Sequence, residues 1–171
     1  MITNERKGFT LIEILIVVAI IAILASIVLV GLGPTQQAGR DARRLSDLHE
    51  TQNGLELYYN KCGYYPGPPV AAGAACGAWV AVNTWAGLTA SLIGTPDIDV
   101  SQVPVDPTAG ATYEYISGNG GSNYMLAATL ENKSNSVFTN YTAPANGLTI
   151  PGSACATASD ANKTGVYCVS L

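Results

Sequence analysis

The most apolar residues of this chain stand together near its N-terminus. From Phe9 to Val30 there are 22 residues that include a single charge, Glu13. A helix of that length rises by about 33 Å, because each residue adds about 1.5 Å, and the apolar core of a bilayer is about 30 Å thick. The pattern therefore predicts a helix that can cross a membrane.

A second helical pattern follows, with apolar residues on one face only. Between Thr35 and Asn60 they recur at spacings near three and four, at Ala38, Ala42, Leu45, Leu48, Leu55 and Tyr59. This spacing is typical of an amphipathic helix that packs through one face. The charged residues are expected on the other faces, as solvated side chains or as bridges between subunits; they are Arg40, Asp41, Arg43, Arg44, Asp47 and Glu50.

The sequence Gly31-Leu32-Gly33-Pro34 separates the two helical patterns. Glycine weakens a helix through its backbone freedom, and proline removes a backbone donor. We expect a bend here, with a simple loop as the alternative, so residues 31–60 form a hinge and an amphipathic helix. That helix should end near Asn60–Gly63, because Pro66 and the prolines after it forbid continuation.

The remaining residues, 61–171, predict a globular head built from short strands. Alternating and aromatic residues indicate strands at Ala111–Ile116 and Asn123–Glu131, with a hairpin turn at Gly118–Gly121 between them. Residues Val166–Val169 read as a further short strand. The hairpin can lie on the amphipathic helix, so the predicted fold class is α+β, a long N-terminal helix packed on a small antiparallel sheet.

Charge and composition exclude several function classes. The net charge is −4, and basic residues form no run beyond Arg40, Arg43 and Arg44, whereas nucleic-acid-binding surfaces are strongly basic. The one histidine, His49, falls on the polar side of the amphipathic helix, and no nucleophile elbow, phosphate loop or metal-binding motif occurs. We therefore expect no catalytic residue, no metal site, no cofactor and no nucleic-acid partner.

Four cysteines, Cys62, Cys76, Cys155 and Cys168, all follow the apolar segment. Their spacings match no metal or redox motif, so two disulfides are the simplest interpretation. Three pairings are possible; the sequence-local one closes two short loops, each stabilising by about 3 kcal/mol in the chain-entropy model. Oxidised cysteines would place residues 61–171 outside the cytoplasm.

Glu13 is the unexplained feature of the apolar segment. A carboxylate at this depth in a membrane costs about 2.5–3.5 kcal/mol and needs a partner. If the chain were cut between Gly8 and Phe9, the new α-amino group of a neighbouring copy could neutralise it. A secretory signal peptide has a shorter apolar core, and a plain signal anchor explains everything except Glu13.

The sequence Lys7-Gly8-Phe9-Thr10-Leu11-Ile12-Glu13 resembles the class III signal of type IV prepilins and type II secretion pseudopilins. In that family a prepilin peptidase cuts after the glycine and methylates the new N-terminus. The resemblance implies that residues 1–8 are a leader, that Phe9 becomes the methylated N-terminus, and that Glu13 docks one subunit against the next. It also implies a filament whose core is formed by residues 9–30.

The same resemblance implies the partners and the location. The partners are further copies of the chain, other pilin-like subunits, a prepilin peptidase, an assembly ATPase and a polytopic platform protein. The precursor would be a single-pass protein of the cytoplasmic (inner) membrane with its head outside, and the product an extracellular or periplasmic filament.

The order of elements, with Val103-Pro104-Val105-Asp106-Pro107 before the first strand, resembles the major pseudopilin of type II secretion. Pseudopilins of that kind bind calcium in a loop after the sheet. Here Gly118–Asn123 contains no acidic residue and Asp160 stands alone, so we do not expect calcium. A pilus subunit and a secretion subunit are both open.

Two functions of other classes compete with filament assembly. A membrane-anchored exported binding domain that never polymerises would leave Glu13 unexplained. A pilin-like component of DNA uptake would bind nucleic acid through its head, but the sequence has no basic or aromatic-basic run for that purpose.

Overall fold

The computed structural model describes residues 8–67, 76, 83–118, 121–139, 141–150, 155 and 164–171. The predicted leader, apart from Gly8, lies outside the described residues. The chain divides into two compact units, Met1–Gln37 and Ala38–Leu171.

One helix, α1, extends from Leu11 to Cys62 and has Pro34 inside it. Residues 31–34 are therefore helical and do not form the loop that was the alternative prediction. The predicted bend at these residues stays a prediction. The helix ends as expected: Gly63 has a φ of 79° and donates its N–H to the carbonyl of Tyr59 at 2.7 Å. Glycine suits this left-handed position because it has no Cβ.

A second helix, α2, spans Trp85–Gly94 and was not predicted. The hydroxyl oxygen of Thr84 caps it by accepting the N–H of Gly87 at 3.2 Å. Its buried residues, Trp85, Leu88 and Leu92, are three and four positions apart, so a helical signal was present. The Ala, Gly and Thr around them obscured it, since these residues are common in loops.

Three antiparallel strands form the sheet: β1 at Glu114–Ser117, β2 at Tyr124–Thr129 and β3 at Val166–Ser170. Strand β2 is central, with Leu126 opposite Tyr115 on one side and Val169 on the other. The predicted hairpin and the α+β fold class are confirmed. Two residues of the hairpin turn, Asn119 and Gly120, lie outside the described residues.

The main core lies between the C-terminal half of α1, helix α2 and the sheet. Leu48, Leu55 and Tyr58 of α1 enter it, and sheet residues such as Leu126 complete it. A short 3-10 helix, Ser136–Phe138, places Phe138 in a smaller cluster with Leu130.

The face of α1 that packs agrees with the predicted one only in part, since Leu48 and Leu55 are fully buried. Ala38, Ala42 and Tyr59 are exposed, whereas Asp41 and Arg44 are almost fully buried. The prediction assumed that only apolar residues face the core, and it was wrong because several charges pair with one another there.

Both cysteine pairs are the sequence-local ones. Cys62 at the end of α1 is bonded to Cys76, and Cys155 is bonded to Cys168 on β3. The second disulfide lies in a small apolar cluster with Met125 and Ile150.

Candidate assembly segment and a buried charge cluster

The predicted cleavage position is open to solvent. Gly8 and Phe9 precede α1 and are exposed, and Phe9 keeps 86% of its surface accessible. A Cβ built on Gly8 would meet no atom within 4 Å. The backbone at this point is therefore accessible, and a small side chain at residue 8 would fit sterically.

Glu13 has a local partner that the sequence reasoning missed. Its Oε2 accepts the backbone N–H and the hydroxyl of Thr10, each at 2.7 Å. The Thr10 hydroxyl oxygen in turn accepts the Glu13 N–H at 3.3 Å. Because α1 begins at Leu11, this arrangement is a capping box, and the pattern Thr-x-x-Glu before an apolar run is its sequence signal. Helix capping thus explains part of the role of Glu13.

The helix surface after Glu13 is apolar and exposed. Every large apolar side chain from Phe9 to Ile27 has at least 50% of its surface accessible. Apolar surface of this extent normally marks a region that binds another molecule. Among the residues that the structure describes, no helix is long and apolar enough to cross a membrane.

A charge cluster occupies the start of the head, formed by Arg40, Asp41, Arg44, Asp106 and Glu131. Its centre is Arg44, whose side chain is only 2% exposed. The guanidinium binds Asp106 with two hydrogen bonds, of 2.8 and 2.9 Å. Its other N–H groups reach Asp41 at 2.8 Å, Glu131 at 3.0 Å and Thr108 at 2.8 Å. All five donors of the guanidinium are therefore used.

The remaining members of the charge cluster join α1 to the end of β2. Arg40 binds Glu131 through two hydrogen bonds of 2.7 and 2.6 Å. Asp41 accepts the backbone N–H groups of Glu131 and Asn132, both at 2.9 Å. Two arginines thus face three carboxylates, and Asp41 has two backbone amide donors in addition to Arg44.

These contacts shift the pKa values of Glu131, Asp106 and Arg44. Hydrogen bonds from Arg40 lower the pKa of Glu131 to about 2, against the effect of desolvation. Burial raises the pKa of Asp106, but hydrogen bonds from Arg44 and the Thr108 amide outweigh it, so the net pKa is lowered. The hydrogen bond to Asp106 is the main reason that the pKa of Arg44 is raised. All these groups are therefore charged at neutral pH.

Next to the cluster, a tyrosine binds a further buried carboxylate, that of Asp47. Tyr113 donates its hydroxyl to Asp47 at 2.6 Å, and burial together with this bond raises the pKa of Tyr113. Arg43 is 3.9 Å from Asp47 and largely exposed, so it is a peripheral neighbour. The alternation Arg40, Asp41, Arg44 and Asp47 was visible in the sequence, but nothing there indicated Asp106 and Glu131 as partners.

Of the two residues considered for chemistry, the structure describes only His49. His49 is exposed and contacts Gln52 at 3.1 Å through Nδ1. No group of three or more potential metal ligands occurs within the described ranges. Asp160, considered for calcium, lies outside them.

Comparison with known proteins finds one family match and two relatives that are similar over part of the chain. The family described as the prokaryotic N-terminal methylation motif matches residues 3–29. The type II secretion system core protein G of Escherichia coli (strain K12) is 34% identical over 64 residues, which is 37% of this chain and 44% of that protein. The protein of the same name from Aeromonas hydrophila is 32% identical over 63 residues, with the same coverage.

The aligned region thus spans less than half the length of these relatives, and no solved structure matches the chain. Both relatives are named as core proteins of a type II secretion system. The chain is thus similar to the type II secretion system core protein G over part of its length, and it contains the prokaryotic N-terminal methylation motif at residues 3–29.

Proposed function

We propose that this chain is a structural subunit of a type II secretion pseudopilus or a type IV pilus. The observation that carries the proposal is the continuous exposed apolar surface from Phe9 to Ile27, which lies within the match to the methylation motif, residues 3–29. Packing this surface against other copies removes it from water or lipid. The relatives belong to type II secretion, which favours the pseudopilus.

Maturation is proposed to begin with a cut after Gly8 by a prepilin peptidase. The exposed backbone at Gly8 and Phe9 supports this step, because a peptidase must bind an accessible segment. The cut creates an α-amino group at Phe9, which methylation leaves able to carry a positive charge. That charge lies one helical turn before Glu13.

Glu13 is proposed to pair with the Phe9 amine of a neighbouring copy. Both hydrogen bonds from Thr10 go to Oε2, so a second donor can approach Oε1 without breaking the capping box. Between apolar helices a lone carboxylate is costly, whereas a carboxylate paired with an ammonium group is not. The pair would therefore select one register of assembly.

We further propose that residues 9–30 rest in the cytoplasmic membrane before assembly, with the head outside. The single charge between Phe9 and Val30 supports this location, and the two disulfides fit an oxidising compartment. An assembly ATPase and a platform protein would then move the subunit into the filament. No cofactor is part of the proposal.

The first test is processing in cells that co-express a prepilin peptidase. Intact mass should show the parent chain without residues 1–8 and with one added methyl group, and Gly8→Ala should remain uncut. Gly39→Ala is the matched control, since a Cβ at Gly39 also meets nothing within 4 Å. An uncut parent chain would refute the processing step.

A second test separates the two roles of Glu13. Glu13→Gln keeps a side chain that can complete a capping box but removes the charge, whereas Thr10→Ala removes the cap and keeps the charge. We expect filaments, counted by electron microscopy, to be lost in Glu13→Gln and retained in Thr10→Ala. Equal loss in both variants would mean that Glu13 acts only as a helix cap.

A further inference from the structure

Helix α1 is held in the head by two different kinds of contact. From Leu48 onward its buried residues are mainly apolar, and Leu48 and Leu55 are fully buried in the main core. Before Leu48 the most deeply buried side chains are Asp41 and Arg44, and Leu45 is only half-buried. The first turns of α1 in the head are therefore attached mainly by charged groups.

The charge cluster connects these turns to two segments distant in the sequence. Arg44 bonds to Asp106, 62 residues away, and to Glu131, 87 residues away. At its edge the cluster reaches solvent, since the side chains of Arg40 and Glu131 are 36% and 25% exposed. Water can therefore replace the contacts of the cluster one at a time, which is not possible for a closed apolar core.

We propose that the charge cluster is a releasable attachment. When its contacts open, residues 38–47 of α1 separate from the head as a local unit, and the apolar core from Leu48 onward stays closed. Local opening below the global free energy of unfolding is a general property of proteins. If the chain forms filaments as proposed above, this release lets the turns adjoining residues 9–30 adapt to neighbouring subunits without unfolding the head.

The test is native-state hydrogen exchange on the full chain in nonionic detergent, comparing Arg40→Gln with Arg43→Gln. Both variants remove one guanidinium from the same stretch of α1, but only Arg40 belongs to the charge cluster. We expect amides 41–47 to exchange roughly fivefold faster in Arg40→Gln than in the parent. Those of β2 should not change, and Arg43→Gln should behave like the parent.

A salt series on the parent chain gives the same test without a substitution. Raising NaCl from about 0.1 M to about 1 M shortens the screening length from roughly 10 Å to roughly 3 Å. Exchange at amides 41–47 should then rise roughly twofold, and the rise should be smaller in Arg40→Gln.

Two results would overturn the proposal. The first is exchange at 41–47 that Arg40→Gln leaves unchanged; the second is exchange that rises equally at 41–47 and in β2, since that would be opening of the whole head. Because exchange is measured on the isolated chain, its outcome does not depend on cleavage after Gly8 or on filament formation.

Discussion

At the scale of single residues, Arg44 has the most demanding environment in the described part of the head. It is 2% exposed and faces Asp41 and Asp106, which are 0% and 3% exposed. An ion pair buried to this extent adds little net stability compared with apolar residues of the same shape, but removing one partner leaves a charge uncompensated. The residue is therefore more important for which structure forms than for how stable it is.

Arg44→Gln should lower the free energy of unfolding by about 3–5 kcal/mol, because Asp41 and Asp106 would lose their cation while buried. Arg43→Gln is the control, since Arg43 is 62% exposed, and its effect should stay within about 0.5 kcal/mol. Urea unfolding followed by tryptophan fluorescence measures both. If both variants lowered the free energy of unfolding by similar amounts, Asp41 and Asp106 would not depend on Arg44 to compensate their charge.

Acid should weaken the head through the same residues. The hydrogen bonds from Arg40 lower the pKa of Glu131 from its usual 4.5 to about 2, and the pKa of Asp106 is also lowered. A lowered pKa gives stability that is present above the unfolded value and lost as the pH falls through the folded one. The urea midpoint should therefore be flat at neutral pH and fall between pH 4.5 and about 2.

The variant Arg40→Gln should reduce this acid dependence, because Glu131 then loses the main cause of its low pKa. If its urea midpoint fell with pH as steeply as that of the parent, other carboxylates would be responsible.

At the scale of elements, the hairpin and the end of α1 depend on each other. Gly121, in the turn between β1 and β2, has a φ of 68° and accepts the N–H of Tyr65 at 2.8 Å. A Cβ at Gly121 would lie 2.6 Å from the carbonyl oxygen of Tyr65. Only glycine satisfies both the backbone conformation and this close approach.

Gly121→Ala should therefore destabilise the head by about 2–3 kcal/mol, the sum of left-handed strain and a backbone clash. Gly110→Ala is the matched control: Gly110 has a φ of 84°, but a Cβ there meets nothing within 4 Å. Gly110→Ala should lower the free energy of unfolding by only about 1 kcal/mol. Thermal unfolding compares the two variants. An equal loss of stability would mean that the backbone at Tyr65 moves away from a Cβ at residue 121 at little cost.

At the scale of the whole molecule, the chain combines an exposed apolar segment, from Phe9 to Ile27, with a head that has an apolar core. The boundary between its two compact units follows Gln37. The apolar surface of the first unit is exposed, whereas the head buries its own apolar residues. Folding of the head and assembly through α1 should therefore be separable.

Ile20→Asp tests this separation. Ile20 is 52% exposed and belongs to the surface proposed to form the filament core, where an unpaired carboxylate costs about 2.5–3.5 kcal/mol per subunit. Filaments should disappear, while the melting temperature of the head stays that of the parent. Ile20→Val is the control and should assemble. Filaments formed by Ile20→Asp would exclude this surface as the core.

Much of this protein follows from local patterns in its sequence. The apolar run from Phe9 to Val30, the helical spacing up to Tyr59 and the alternation around Tyr115 and Leu126 determine the helix and the hairpin, because each repeats the period of its own element. The methylation motif is also local, since it matches the consecutive residues 3–29. The capping box of Thr10 and Glu13 is equally local and could have been identified.

The tertiary structure alone decided which face of α1 packs and what its charges do. Asp41 and Arg44 are polar by any scale, and their burial is possible only because Asp106 and Glu131 arrive from other segments with complementary groups. Arg44 pairs with Asp106, which is 62 positions away in the chain, and with Glu131, which is 87 positions away. Such pairs form only when the folded chain brings these segments together. A helical period reports neighbours within one element, and it contains no information about partners at that distance.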